Sequence, residues 1–286
     1  MVEKTLLTSD KDRIMKKTHF AVLGFAILVL ALLSFGSTEV PAENSPKYQL
    51  RWEENFDGPQ LDMTKWNKIS RMFPEWRKYM TDNEQLYDLR KGRMRLYAKE
   101  NKGIAPEDTA RYLTGGISTQ HKVTVGYGKV EVRARIHGVE GCWPAIWMKD
   151  DDVNTPSYRE QAEIDIMEHY NKDDFVWCTI HNSYTLVQKK TENPPCKKKV
   201  SIRKEKYNVY TMEILPDKLV MSLNGKKQFE YPRIAKEGFC QYPFGSQCYL
   251  MLDMQVGNKW LKKIGVEDFP AYMDIDWVRV YDLVEN

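Results

Sequence analysis

Tyr127-Gly128-Lys129-Val130-Glu131-Val132-Arg133-Ala134-Arg135-Ile136-His137 changes polarity at almost every step. Successive side chains of an extended backbone point to opposite faces. Val130, Val132, Ala134 and Ile136 therefore share one face, and Lys129, Glu131, Arg133 and Arg135 share the other. Such a segment is a strand with one packed and one wet face. Further along, Leu219, Met221 and Leu223 keep the same period and run into Asn224-Gly225, a strong hairpin signal, after which Phe229 and Tyr231 resume the alternation. From Arg51 onward almost no long stretch carries a helical period, so the predicted architecture is all-β.

The 286-residue chain divides into an N-terminal extension with a secretory signal, 1–42, and one large folding unit, 43–286. Lys16 and Lys17 precede the apolar run Phe20 to Phe35, and Ser34, Gly36 and Ala42 are small residues suited to signal cleavage. That run is shorter than the roughly 20 residues a bilayer core requires, so export is expected, with no stable membrane span after cleavage. A net charge of +3 is too small to propose a nucleic-acid partner. Five cysteines, Cys142, Cys178, Cys196, Cys240 and Cys248, cannot all pair within one chain. Cys240 with Cys248 would close a short loop, buried thiols suit the others, and no Cys/His spacing indicates a metal site. Gln188 to Lys206, rich in Lys, Arg and Pro, reads as a long basic loop, either simply solvated or in contact with an anionic, sulfated or sialylated glycan. A monomer is expected.

Glu163-Ile164-Asp165-Ile166-Met167-Glu168 places three carboxylates within six residues. Strict alternation puts Glu163 and Asp165 on one face and would turn Glu168 into the core, where an unpaired carboxylate is costly. One inserted residue, a β-bulge at Met167, restores the parity. Two carboxyls brought together in this way can perform retaining glycoside hydrolysis, which needs a nucleophile and an acid about 5 to 5.5 Å apart. Asp165 between them is expected to hydrogen-bond the nucleophile Glu163, and its charge to raise the pKa of Glu168. The competing reading of these residues alone is a solvent-facing acidic strand.

The acidic strand, in the form Glu, aliphatic, Asp, aliphatic, bulge residue, Glu, resembles the hallmark of glycoside hydrolase family 16. The resemblance extends through Phe56-Asp57-Gly58, Leu61-Asp62, Lys65-Trp66, Tyr127 to Ala134, Trp143-Pro144-Ala145-Ile146-Trp147-Met148 and Ile275-Asp276-Trp277-Val278-Arg279-Val280-Tyr281. It implies a jelly-roll sandwich of two curved antiparallel sheets with an open substrate cleft on the concave face. It further implies Glu163 as nucleophile, Asp165 as its partner, Glu168 as acid/base, Trp143 and Trp147 near the cleavage point, and His181 near the acid/base. No cofactor is needed for catalysis, and a structural calcium would draw on Asp276.

The bulged form resembles the branch of laminarinases, agarases, carrageenases and enzymes cutting galactose-containing glycans. Asp253-Met254-Gln255-Val256-Gly257-Asn258 departs from the run usual in laminarinase-like members. His181 to Thr185, Asn193-Pro194-Pro195, Asn208-Val209-Tyr210 and Tyr231-Pro232-Arg233-Ile234 resemble members acting on mucin-type O-glycans. The expected substrate is thus a polysaccharide or O-glycan cut at internal β-galactosyl bonds, with β-1,3-glucan as the second choice. His181 and Gln255 are the candidates for holding the axial hydroxyl that distinguishes galactose from glucose. A purely carbohydrate-binding jelly roll would lack a catalytic carboxylate, whereas this chain keeps all three. A transglycosylase would use the same residues.

Overall fold

The computed structural model describes residues 46–151, 162–245, 247–259, 261 and 263–285. The expected signal, 1–42, lies outside the described residues. None of the described helices is long and apolar enough to cross a membrane.

Two antiparallel sheets stack face to face. In the first, the strands run in the order Lys226–Pro232, Lys218–Leu223, Asn208–Ile214, Gly128–His137, Ala271–Glu285, Met94–Glu100 and Tyr87–Leu89. The second runs Lys197–Ser201, Phe175–His181, Glu163–Glu168, Ala145–Asp150, Cys248–Asp253, Gly116–Ser118 and Asn67–Lys68. This is the expected jelly-roll sandwich. Gly128–His137 is a central strand of the first sheet. Val130, Val132, Ala134 and Ile136 are at most 5% exposed, while the intervening charged residues are half-buried. Each Val or Ile buried in this way contributes roughly 1.5–3 kcal/mol. Across the interface Ile164, Ile166, Met167, Val176, Cys178 and Ile180 of the second sheet are fully buried in the same core.

The hairpin closes at Asn224-Gly225 with φ of 52° and 77° at the two turn residues. Both values are left-handed, the conformation a two-residue hairpin turn demands and the reason Asn-Gly is favoured there. Gly116 matters for a different reason. A Cβ there would lie 2.8 Å from Cβ of Asp253, so only glycine lets that buried acid sit against the neighbouring strand.

Two expectations fail. The segment 188–206 is not loop throughout, because Lys197–Ser201 pairs with Phe175–His181 as the edge strand of the second sheet. A charge run hides strand character because lysines on an exposed edge cost nothing to solvate and discourage further strand pairing. The Cys240 to Cys248 bridge is also absent. Cys240 keeps a free thiol, which donates to the Glu237 carbonyl at 3.0 Å and accepts from Gln188 Nε2 at 3.3 Å.

Candidate active site

The acidic strand Glu163–Glu168 lies in the middle of the second sheet, and its register shows how the parity is restored. Against Ala145–Asp150, Asp165 faces Trp147, Met167 faces Ile146 and Glu168 faces Ala145. Against Phe175–His181, Asp165 faces Thr179 and Glu168 faces Trp177. Ile166 and Met167 thus oppose a single residue on either side. The bulge is as expected, but the residue left without a partner on the Ala145–Asp150 side is Ile166, while Met167 keeps its partner. Both apolar side chains turn into the core, and Glu168 returns to the outer face with Glu163 and Asp165.

A cleft of about 420 Å³ opens over this face, lined by the three acids together with Trp143, Trp147, His181 and Gln255. The structure therefore brings together all the expected site residues except Asp276. Sequence reasoning missed Trp76, Tyr170 and Thr179, which also line it, whereas Lys197, a further lining residue, belongs to the basic segment read as either solvated or in contact with an anionic glycan. Thr179 stands two residues before His181 on the same strand, so alternation could have found it. Trp76 comes from a remote loop and packs edge-on against Trp147 at 4.8 Å between ring centroids, a contact with no local signal.

Glu168 is 8% exposed and accepts hydrogen bonds from Trp143 Nε1 at 2.9 Å and Thr179 Oγ1 at 3.3 Å, as well as from the Tyr170 hydroxyl. Burial, and then the charge of Asp165, push its carboxyl up to about 8 against the opposing pull of the Tyr170 and Trp143 hydrogen bonds and the charge of His181. Glu163 is also raised, first by burial and then by Asp165, but His181 and Lys149 pull it back, and its side chain is 32% exposed to the cleft.

Asp165 does not hydrogen-bond Glu163, as two carboxylates repel. Its Oδ2 instead lies 3.2 Å from Nε2 of His181, which stands 4.0 Å from Oε1 of Glu163. His181 thus sits opposite Glu163 in register, and its charge also reaches Glu168. Burial lowers the basicity of this imidazole, but the hydrogen bond to Asp165 and the charges of Asp165, Glu163 and Glu168 outweigh it and raise its pKa to about 9. Ligand atoms of Glu163, Asp165 and His181 all lie within 4.8 Å of one another, close enough for a cation. A protonated His181 offers no lone pair, so near neutral pH the trio is an ion-pair network.

Behind the cleft wall, Asp253 is fully buried and accepts from Trp147 Nε1 and from Gln255 Nε2, each at 2.8 Å. Burial, opposed by these two bonds, raises its carboxyl to about 7. The network fixes Trp147 and leaves Oε1 of Gln255 buried without a hydrogen-bond partner among the described residues.

The Asp276 carboxylate is bound to the Arg133 guanidinium, and among the described residues no cluster of three or more His, Cys, Asp and Glu ligand atoms includes it.

Residues 75–279 match the family model described as glycosyl hydrolases family 16. The chain is 34% identical over 238 residues to a keratan-sulfate endo-1,4-beta-galactosidase of Sphingobacterium multivorum, covering 82% of this chain and 56% of that protein. It is 26% identical over 257 residues to glucan endo-1,3-beta-glucosidase A1 of Niallia circulans, covering 81% of this chain and 37% of that protein. The chain thus spans about half or less of the length of these two relatives. Among solved structures, the endo-beta-1,3-glucanase of Pyrococcus furiosus superposes with a TM-score of 0.73 at 23% identity, covering 84% of this chain and 97% of that one. That likeness concerns the fold alone.

Proposed function

Since the chain belongs to glycosyl hydrolase family 16, we propose that it is an exported retaining endo-β-glycosidase, cutting internal β-galactosyl bonds of poly-N-acetyllactosamine or mucin-type glycans. The observation that carries the mechanism is the pairing of a cleft-exposed Glu163 with a buried Glu168 held by Trp143, Tyr170 and Thr179 on one bulged strand. Glu163, ionised, attacks the anomeric carbon. Glu168, protonated below about pH 8, gives its proton to the leaving oxygen. Glu168 then removes a proton from water, which attacks the glycosyl-enzyme and frees Glu163. Asp165 and the His181 imidazolium position Glu163 and keep its charge balanced as it is consumed and restored.

The galactose assignment is supported by the keratan-sulfate endo-galactosidase relative and by the run Asp253-Met254-Gln255 at the cleft wall. The second reading, endo-β-1,3-glucanase, is favoured by the glucanase relative. The two are separated by incubating residues 43–286 with laminarin, agarose, keratan-type chains and mucin O-glycans and identifying products by mass spectrometry. Oligosaccharides with reducing-end galactose are expected. Rapid cleavage of laminarin with none of the others would establish the second reading, and release of monosaccharides alone would reject internal cutting.

A further inference from the structure

The strand Lys197–Ser201 carries its charges onto two different faces. Lys197 pairs with Thr179 and Lys199 with Trp177, and both of those partners lie on the cleft face, next to Asp165 and Glu168 respectively. Alternation therefore puts Lys197 and Lys199 on the cleft face, with Lys198 pointing the other way. Lys197 lines the cleft itself. Protection of an exposed edge accounts for Lys198. It does not account for two lysines on the same face as the acids, at the end of the cleft where the sheet stops.

Aromatic rings flank these lysines. Trp177 and Phe175 pack edge to face at 6.2 Å, both half-buried, so part of each ring meets solvent. The Lys199 ammonium sits 3.3 Å from the centre of the Phe175 ring, and the Lys197 ammonium 5.6 Å from that of Trp177. Among the described residues, no carboxylate forms an ion pair with Lys197 or Lys199. Lys197 lies two strands from Asp165, a backbone separation of about 10 Å. A sugar held there is a neighbour of the unit being cut.

We propose that Lys197 and Lys199, with the face of Trp177, form an anion-accepting subsite of the cleft that takes a sugar unit carrying a sulfate ester or a carboxylate. The aromatic ring stacks on the apolar face of the sugar and the two ammonium groups hold its anionic substituent. The assignment rests on the reading of the cleft as a glycan-cutting site, and it extends that reading to the charge of the glycan.

The test is direct binding, measured calorimetrically on the catalytically silent Glu168→Gln chain at low ionic strength. The probes are a sulfated keratan-type oligosaccharide and its desulfated form, a sialylated lactosamine chain and its neutral form, and laminarin sulfate with laminarin. In at least one pair the charged member should bind about tenfold more tightly, the size two exposed ion pairs give together. Which pair shows the preference identifies sulfate or carboxylate as the anion. Lys197→Ala combined with Lys199→Ala should bring the charged-to-neutral ratio to about one, Lys197→Arg with Lys199→Arg should keep it, and added salt should erode it. Equal affinity within every pair, or a preference that survives the double alanine substitution, would overturn the proposal. A preference confined to the laminarin pair, with no binding of the lactosamine chains, would retain the subsite and reject the galactose assignment.

Discussion

His181 Nε2 lies 3.2 Å from Asp165 Oδ2 and 4.0 Å from Glu163 Oε1, so one cation bridges two of the three acids on the strand. Three negative charges crowded on one bent strand repel one another. A protonated imidazole opposite them offsets part of that repulsion at the Glu163 end of the strand.

Glu163→Gln and Glu168→Gln should each lower turnover at least about a hundredfold while keeping the fold, because each removes one chemical role without changing shape. Steady-state kinetics alongside circular dichroism checks this. Activity near the parent level in either variant would remove that residue from the mechanism.

Turnover should fall as pH rises through about 8, because Glu168 must enter the reaction protonated and its carboxyl titrates there. Asp165→Asn removes a charge that raises Glu168, so the basic limb should move to lower pH, with a smaller loss of turnover at the optimum than either Glu substitution causes. A basic limb unmoved by Asp165→Asn would show that the two carboxyls do not interact.

The imidazole of His181 also leaves a mark on stability. Its pKa in the folded chain, about 9, exceeds the ordinary value of 6.5, so the fold binds this proton more tightly than the unfolded chain does. The stabilisation is complete below about 6.5, declines between 6.5 and 9, and is gone above. His181→Gln should therefore lower the midpoint of thermal unfolding more at pH 6 than at pH 10. An equal loss at both would mean that the ion pair with Asp165 adds nothing.

Asp253→Ala should strand Trp147 Nε1 and Gln255 Nε2 as buried donors without acceptors, each costing about 1–3 kcal/mol. Unfolding by denaturant should show a loss of about 3 kcal/mol or more, with Trp147 fluorescence altered in the native state. A loss below about 1 kcal/mol would mean that water replaces the carboxylate.

The first-formed product should keep the β configuration, since two inversions at one carbon restore it. Early proton NMR spectra report the anomer directly, and an α product would exclude double displacement.

Much of this was legible along the chain. The period of two in Gly128–His137, the Asn224-Gly225 turn and the need for a bulge before Glu168 are all consequences of backbone geometry, which acts between neighbours in sequence. Burial, charge pairing and cleft membership act between strands, and register decides them. Asp253 shows the difference. In sequence it is one more acid at the end of a strand, whereas in the folded chain it is fully buried behind Trp147 because Gly116 leaves room beside it. His181 became the partner of Asp165 because its strand pairs with the acidic strand through Glu163 opposite His181. Lys197 reads as one of a basic run either solvated or in contact with an anionic glycan, and only the edge strand aligns it with Thr179 and brings it to the cleft. The local pattern of polarity determined that this chain forms strands and which of their faces are buried. Which residues meet across those strands depended on long-range pairing, whose partners lie too far apart in sequence for any local period to encode.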